Sequence, residues 1–268
     1  VMDAAGVQPE RLPACDVHLH SKALYDADGE TKLGLGSSAA VVVALAEALR
    51  YGLRVWGLDR SAPVRSEAYR ETLALHHEAR ESRGSGVDVA ASFHGGLRTY
   101  EMQGGATSLV GLPDGIAFGA VWTGRPASTA SFLELVEATR TSRPKQYGAC
   151  IDALRQAAAD GIAACKENDG PAFLEAVRKH LAAEDDLGQL CGLPIVSSAH
   201  AELADLAAQD GVAYKPSGAG GGDVGLLFAT SDDLLQKSAR RVQNGGYRWL
   251  DLAIDPEGVS VHRLERQS

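Results

Sequence analysis

The chain has 268 residues, 45% of them hydrophobic, and 26 Lys and Arg against 35 Asp and Glu give a formal net charge of −9. At about 150 residues per domain, one or two domains with packed cores are expected, not a disordered chain. The acidic balance speaks against a general nucleic-acid or membrane-surface binder, which needs a clustered basic face. No run approaches the ~18 apolar residues that a transmembrane helix requires.

Cys15, Cys150, Cys165 and Cys191 are far apart and form no CxxC pair, so buried reduced thiols are expected, not a disulfide framework or a zinc site. No basic segment followed by an apolar core opens the chain, and a cytoplasmic location is expected. The chain begins on Val1 with Met2 behind it, which points to an incomplete native start.

In chain order, residues 14–24 alternate and AspAlaAspGlyGlu at 26–30 is a turn signal, which together predict a strand and a hairpin. From Ser37 to Arg50 a run of small and aliphatic residues, apolar nearly all round, predicts a buried helix with a Ser-Ser N-cap. A second helix is expected over 63–80, carrying His76, His77 and Glu78. Strands are expected at 97–102 and 116–122, and TrpThrGlyArgProAlaSerThr (122–129) reads as a loop. Helices then fill 131–140, 147–168, 171–187 and 198–210. The last stretch reads as a strand at 224–229, a helix at 231–243 and a closing strand pair at 247–254 and 259–264. Strands and helices in partly segregated order predict an α+β fold. Pro126, Pro144 and Gly148 punctuate polar sequence, and the domain division is placed there, as 1–125 and 126–268.

Thirty glycines are gathered into clusters, which means backbone that bends sharply or approaches something closely. The first cluster is Lys32-Leu33-Gly34-Leu35-Gly36-Ser37-Ser38-Ala39-Ala40, opening a helix. A helix N-terminus suits an anion, and the serines offer hydroxyls to phosphate or Mg²⁺. It is neither a Walker A loop nor a dinucleotide fingerprint, because the Gly-Lys-Ser/Thr ending is missing and Ala39 stands where the third glycine would be. A glycine turn with a serine cap stays open as the plain alternative. The second cluster is Gly84-Ser85-Gly86-Val87-Asp88-Val89-Ala90-Ala91-Ser92 with Gly95-Gly96. Here Asp88 could receive a proton or orient a cation, or simply cap a helix. The third is Lys215-Pro216-Ser217-Gly218-Ala219-Gly220-Gly221-Gly222-Asp223-Val224-Gly225. Its many small residues suggest backbone approaching a ligand, and Asp223 with the strand behind it argues against a flexible linker.

Together these loops resemble the GHMP kinase superfamily: LysLeuGlyLeuGlySerSerAlaAla its phosphate-binding second motif, LysProSerGlyAlaGlyGlyGlyAsp its C-terminal third motif. GlySerGlyValAspValAlaAlaSer, the Lys-Pro-Ser start of the last loop and the 122–129 loop most resemble the phosphomevalonate kinase branch. The resemblance spans nearly all of residues 14–254. It implies a two-domain α+β architecture, with an N-terminal ribosomal-protein-S5-like domain, a C-terminal ferredoxin-like domain and the active site in the cleft between them. It further implies that Lys32, Gly34, Leu35, Gly36, Ser37, Ser38 and Ala39 cradle ATP and that Asp88 and Lys215 are catalytic. Ser85, Gly86, Lys145, Ser217, Gly218, Ala219, Gly220 and Gly221 would line the acceptor, with Ser38 and Glu78 near Mg²⁺. The superfamily's first motif, a ProGlyLys-type strand that supplies an active-site lysine, has no match among the 33 residues before Gly34.

A phosphomonoester acceptor is mostly dianionic at neutral pH and needs surrounding cations more than a base. Lys32, Arg83, Arg98, Arg125, Arg143, Lys145 and Lys215 flank the motifs and would supply them. The expected reaction is ATP-dependent conversion of 5-phosphomevalonate to its diphosphate. Open alternatives are a mevalonate or sugar kinase of the same superfamily, and a catalytically silent protein of the same fold. His18 and His20 share a face of the expected strand and are read as structural. His76 and His77, adjacent on a helix, are assigned no metal. Trp122, Trp249 and most aromatics are expected in the core.

Overall fold

A computed structural model of the chain describes residues 6–25, 31–59, 63–79, 84–127 and 129–263. In chain order the elements are α1 (Ser37–Val55), α2 (Arg65–Ala79), α3 (Val87–His94), β1 (Leu97–Tyr100), β2 (Thr107–Val110), β3 (Ala117–Trp122), α4 (Thr129–Ser142) and α5 (Pro144–Glu167). There follow α6 (Gly170–Cys191), α7 (Ser198–Ala208), β4 (Ala213–Pro216), β5 (Val224–Ala229), α8 (Asp232–Asn244) and β6 (Arg248–Leu250). Two compact units divide them. The first holds the described residues within Val1–Lys22, Gly36–Leu109 and Ile254–Ser268; the second holds those within Ala23–Leu35 and Val110–Ala253. These borders are not the sequence division at 125/126. Because β3 pairs with both β5 and β6, hydrogen bonding ties residues 117–122 to the C-terminal strands.

In the first unit, α1 buries Ala39, Val43, Ala46, Arg50 and Leu53. That four-three spacing is a single stripe, so the helix is one-sided, not buried all round as its composition suggested. Ala39 and Val43 join Ala68, Tyr69, Val89, Ala90 and Phe93 in the core between α1, α2 and α3. Buried Arg50 is tolerated because its guanidinium reaches Glu47 at 2.5 Å, Thr72 at 2.9 Å and Glu71 at 3.0 Å. The C-terminal segment crosses the end of α3, where Gly95 and Gly258, both at positive φ, touch backbone to backbone. A Cβ on Gly95 would lie 2.3 Å from the Gly258 nitrogen. Arg65 locks this crossing by donating to the carbonyls of Phe93 and Glu257.

In the second unit, four antiparallel strands lie in the order β4-β5-β3-β6. β5 is apolar throughout and both of its faces are covered, so its side chains alternate between two cores. Leu227 and Ala229 pack with Val121, Leu203, Ala207, Leu235 and Val242, beneath α7 and α8. Phe228 packs with Ala164, Phe173, Leu174 and Val177 of α5 and α6, while Val224 meets Leu33, Ala120 and Leu250. At the far end of α7, Asp210 accepts two bonds from Arg241 (2.8 and 3.0 Å) and an ion pair from Lys237 (2.9 Å).

Several expectations are corrected. Residues 13–21 form no strand, and Val17 and Leu19 stand 59% and 56% exposed, since alternation without a ladder partner does not make a strand. The chain there has only a 3-10 turn at Lys22–Leu24 and a single bridge, Tyr25 to Lys32; the expected turn at 26–30 lies outside the described residues. The short strands β2 and β4 were not anticipated. Of the closing strand pair only β6 forms, and 259–263 carries no strand. The described cysteines are free thiols, but Cys15 is exposed and only Cys191 is buried.

The pairing with Arg241 holds the Asp210 carboxyl down to about 2. A depressed carboxyl pKa adds stability above its unfolded value of about 4 and loses it as pH falls towards 2. Urea denaturation of wild type is expected to show a falling midpoint across that window. Asp210→Asn should flatten that part of the profile and lower the midpoint at pH 7.

Candidate active site

In the second unit, Leu33 and Leu35 point into the core with Ala120, Val224 and Leu250, which fixes the first glycine loop at its start. Gly34 between them has φ +76, and a Cβ there would fall 2.3 Å from the Asp223 side chain. Asp223 therefore occupies the space a side chain at position 34 would need. It is itself a non-glycine at φ 58, a conformation that costs about 1–2 kcal/mol. What holds it is a clip of hydrogen bonds. Its N–H donates to the Arg125 carbonyl at 2.7 Å, its carbonyl accepts from the Thr123 N–H and hydroxyl, and its Oδ1 accepts from Ala127 N–H at 3.1 Å. Burial pushes its carboxyl pKa up, and the Ala127 bond opposes that only in part.

In the first unit, α1 and α3 both begin on left-handed glycines, Gly36 (φ 74) and Gly86 (φ 79), which carry no capping side chain, though at α3 the Ser85 hydroxyl accepts from Val87 N–H at 3.3 Å. By contrast, Asp169, Ser197 and Ser231 cap α6, α7 and α8. The expected Ser-Ser cap is thus corrected: Ser37 and Ser38 are the first helical residues, with Ser38 exposed. The two glycine-led starts lie together, since a Cβ on Gly36 would sit 3.7 Å from the Asp88 Cβ. Asp88 is in the first turn of α3, where the helix dipole favours a carboxylate. Its Oδ1 accepts from Val89 N–H, and its Oδ2 lies 4.0 Å from Nε2 of buried His76. Gly86 is required by crowding, because a Cβ there would meet Leu73 at 2.4 Å. Tyr100 donates to the Ser85 carbonyl, and its pKa is raised by burial first and by Asp88 second.

The third loop leaves β4 at Pro216 and returns to β5 at Val224, closed by Ser217 N–H on the Val224 carbonyl at 2.8 Å. Its glycines differ in their reasons. A Cβ on Gly220 would lie 2.4 Å from the Ile195 carbonyl, one on Gly221 2.7 Å from Phe132, and one on Gly222 2.6 Å from the Arg125 carbonyl. Close packing on protein neighbours accounts for these three. Gly218 (φ +67) has open space around it, and Gly218 and Ala219 form an exposed tip. Beneath the loop, buried His200 joins Gly222 (Nε2 to the carbonyl, 3.0 Å) to Tyr214 (Nδ1 to the hydroxyl, 2.6 Å). Neither residue was singled out from sequence. A histidine two places after a Ser-Ser helix start carries no signal of which loop it will reach.

Lys215 lies on β4 with its ammonium 3.7 Å from Glu184 of α6 and 2.5 Å from the Pro216 carbonyl. Lys145 and Arg143 are exposed at the start of α5, Lys32 and Arg125 are exposed, and Arg98 donates to Thr107. Arg83 lies outside the described residues. Glu78 is exposed on α2, two residues and about 200° round the helix from His76, so it does not share the face that meets Asp88. Among the described residues no three His, Cys, Asp or Glu side chains gather to hold a metal. His18 and His20 are exposed on an irregular segment.

Residues 2–96 match the family model described as the GHMP kinases N terminal domain. The chain is 28% identical over 277 aligned positions to the phosphomevalonate kinase of Streptomyces sp. strain CL190, covering 94% of this chain and 69% of that protein. Among solved structures it resembles the Lin0012 protein of Listeria innocua, at TM-score 0.75 and 26% identity, covering 85% of this chain and 68% of that one. It also shares its fold with the phosphomevalonate kinase of Streptococcus pneumoniae solved with phosphomevalonate and AMPPNP. That match has TM-score 0.69 and 19% identity, over 85% of this chain and 70% of that one. No helix among the described residues is long and apolar enough to cross a membrane.

The crowding at Gly34 and the open space at Gly218 predict unequal costs for the same substitution. Gly218→Ala should lower the unfolding free energy by about 1 kcal/mol, the left-handed backbone penalty alone. Gly34→Ala, which must also displace Asp223, should cost more than about 2 kcal/mol. Urea denaturation of both variants measures this, and equal losses would contradict the packing described.

Proposed function

We propose that the chain is a kinase of the GHMP superfamily and that it transfers the terminal phosphoryl group of ATP to 5-phosphomevalonate, giving 5-diphosphomevalonate; the match of residues 2–96 to the GHMP kinases N terminal domain and the likeness to a phosphomevalonate kinase support this reading. The observation that carries this reading is the meeting of two glycine-led helix starts beside Asp88 in the first unit. First-turn N–H groups and the positive ends of two helix dipoles make that place suited to phosphate oxygens. The acceptor assignment draws on the likeness to phosphomevalonate kinases and on the chemistry of the site.

In this proposal Gly34, Leu35, Gly36, Ser37, Ser38 and Ala39 bind the triphosphate, Lys32 adds charge at the edge, and Ser85 and Gly86 shape the acceptor side. Ser217, Gly218 and Ala219 offer the acceptor the exposed tip of the third loop, with Gly220 and Gly221 holding its base; Lys145 would add charge from the start of α5. A phosphomonoester with a second pKa near 6 arrives already deprotonated at neutral pH. Asp88 therefore need not remove a proton, and its task is to orient the attacking phosphate oxygen or the cation beside it. Lys215, held by Glu184 and the Pro216 carbonyl, would steady the base of the third loop and keep a positive charge behind it. Magnesium commonly takes one or two carboxylates and completes its shell with water and substrate phosphates. Ser38 and Asp88 fit that sparse requirement, whereas Glu78 faces away and is given no part.

Assays with ATP and Mg²⁺ on 5-phosphomevalonate, mevalonate and galactose test the assignment. Turnover of 5-phosphomevalonate is expected to exceed the others by at least about a hundredfold in kcat/KM, because a site built for a phosphate leaves its donors unpaired with an alcohol. Preference for mevalonate would overturn the acceptor. Calorimetric binding of ATP without turnover of any acceptor would favour a silent protein of the same fold. Asp88→Ala should lower kcat about a hundredfold or more with the fold intact; unchanged turnover would remove its role.

A further inference from the structure

The third loop rests on a histidine that no kinase role accounts for. His200 is fully buried on α7, one turn after Ser197, whose hydroxyl caps that helix by accepting from the His200 N–H. Its ring bridges two groups of different character. The Gly222 carbonyl can only accept, so Nε2 must carry the proton; Nδ1 then accepts from the Tyr214 hydroxyl. Tyr214 lies over Gly225, where a Cβ would be 2.0 Å from its hydroxyl, so the phenol has no room to turn away. The charged groups nearest the ring, Glu184 of α6 and Lys215 of β4, oppose one another, and burial keeps the imidazole neutral.

From the same segment, the Ile195 carbonyl accepts from Gly221 N–H at 2.8 Å. Residues 195–200 thus grip the two loop residues immediately before Asp223. The exposed tip at Gly218 and Ala219 lies between two held points, Ser217, whose N–H donates to the Val224 carbonyl, and Gly221.

We propose that His200, as its neutral Nε2–H tautomer, is a positioning residue that holds the 217–222 loop in the shape that receives the acceptor's phosphate. The part concerning the acceptor rests on the phosphomevalonate reading; the anchoring of the loop does not.

Nitrogen-15 NMR of the full chain labelled at histidine should show the Nε2–H tautomer at pH 7; an Nδ1–H tautomer or an imidazolium would overturn the proposal. Hydrogen exchange of peptides spanning 216–223 should quicken about tenfold in His200→Ala, the weight of one buried hydrogen bond. It should stay within about twofold of wild type in His200→Gln, whose amide can still donate to Gly222. Unchanged exchange in the alanine variant, or no rescue by glutamine in a chain that keeps its wild-type melting temperature, would overturn it. In steady-state assays His200→Ala should raise KM for 5-phosphomevalonate about tenfold while kcat and the ATP dissociation constant move less than about twofold. Parallel weakening of nucleotide and acceptor would mean a general loss of structure and would overturn the positioning role. A wild-type chain that ignores 5-phosphomevalonate would defeat the substrate reading alone, leaving tautomer and exchange to decide the anchor.

Discussion

Two left-handed glycines, each with an aspartate beside it, set the geometry on which the rest depends. Asp223 fills the volume where a side chain at 34 would stand, and Asp88 lies at van der Waals distance from where one at 36 would stand. Space alone demands glycine at 34, while at 36 a Cβ would make only ordinary contact; both glycines take the left-handed backbone that L-residues avoid. Leu33 and Leu35, alternating with them, are drawn into the second unit's core. The segment therefore turns sharply while its apolar side chains stay anchored, and α1 begins at once with its N–H groups uncovered. A carboxylate beside such a place would repel phosphate unless a cation lay between them. The proposed phosphoryl transfer would need such a cation, since its main demand is charge neutralisation with fixed positions.

The long elements were legible because their signals are local and redundant. α5 to α8 show helical spacing with Ser or Asp caps before three of them, and β5 falls on the expected residues 224–229 because Gly225 and Ala229 bracket an unbroken apolar run. The short strands were not. β2 and β4 have four residues each and exist because a neighbour supplies the ladder, information absent from a four-residue window. The failure at 14–24 has the same cause with the opposite sign: alternation was present and the ladder was not. At the site, the loops and Asp88 were visible as glycine clusters, and His76 as a residue of the expected second helix, but His200 and Tyr214 were not. What these residues reach lies 12 to 22 positions away, and one chain read without relatives holds no trace of that pairing.

Charge followed a similar division. A net charge of −9 with cations flanking the motifs suggested a basic pocket in an acidic molecule. Within each unit, however, the cations are spoken for unevenly: Lys215 by Glu184 and a carbonyl, Arg98 by Thr107, while Lys32, Arg125 and Lys145 remain exposed. An ammonium that already has a carboxylate partner contributes less to an incoming anion than its formal charge implies. Helix dipoles do not suffer this loss, although at α3 the Ser85 hydroxyl and the Asp88 carboxylate already accept from the first-turn N–H groups of Val87 and Val89. In a molecule this acidic, fixed dipoles are the more dependable source of positive potential.

Glycine richness is often read as backbone cleared for a ligand, and the third loop shows why that inference needs the neighbouring atoms. Gly220, Gly221 and Gly222 are small because Ile195, Phe132 and Arg125 occupy the space beside them, whereas a Cβ on Gly218 would enter open space. The crowded glycines build a rigid base and the open one forms a tip. A loop that was open throughout would lose its shape to conformational entropy, and one crowded throughout would have no surface to offer. The mixture solves both problems: packing fixes the base, hydrogen bonds at Ser217 and Gly221 hold both sides of the tip, and the tip stays exposed. The same logic explains why a non-glycine is tolerated at Asp223. The strain of its left-handed backbone is offset by hydrogen bonds to Thr123, Arg125 and Ala127, and its side chain then becomes the wall against which Gly34 must fit.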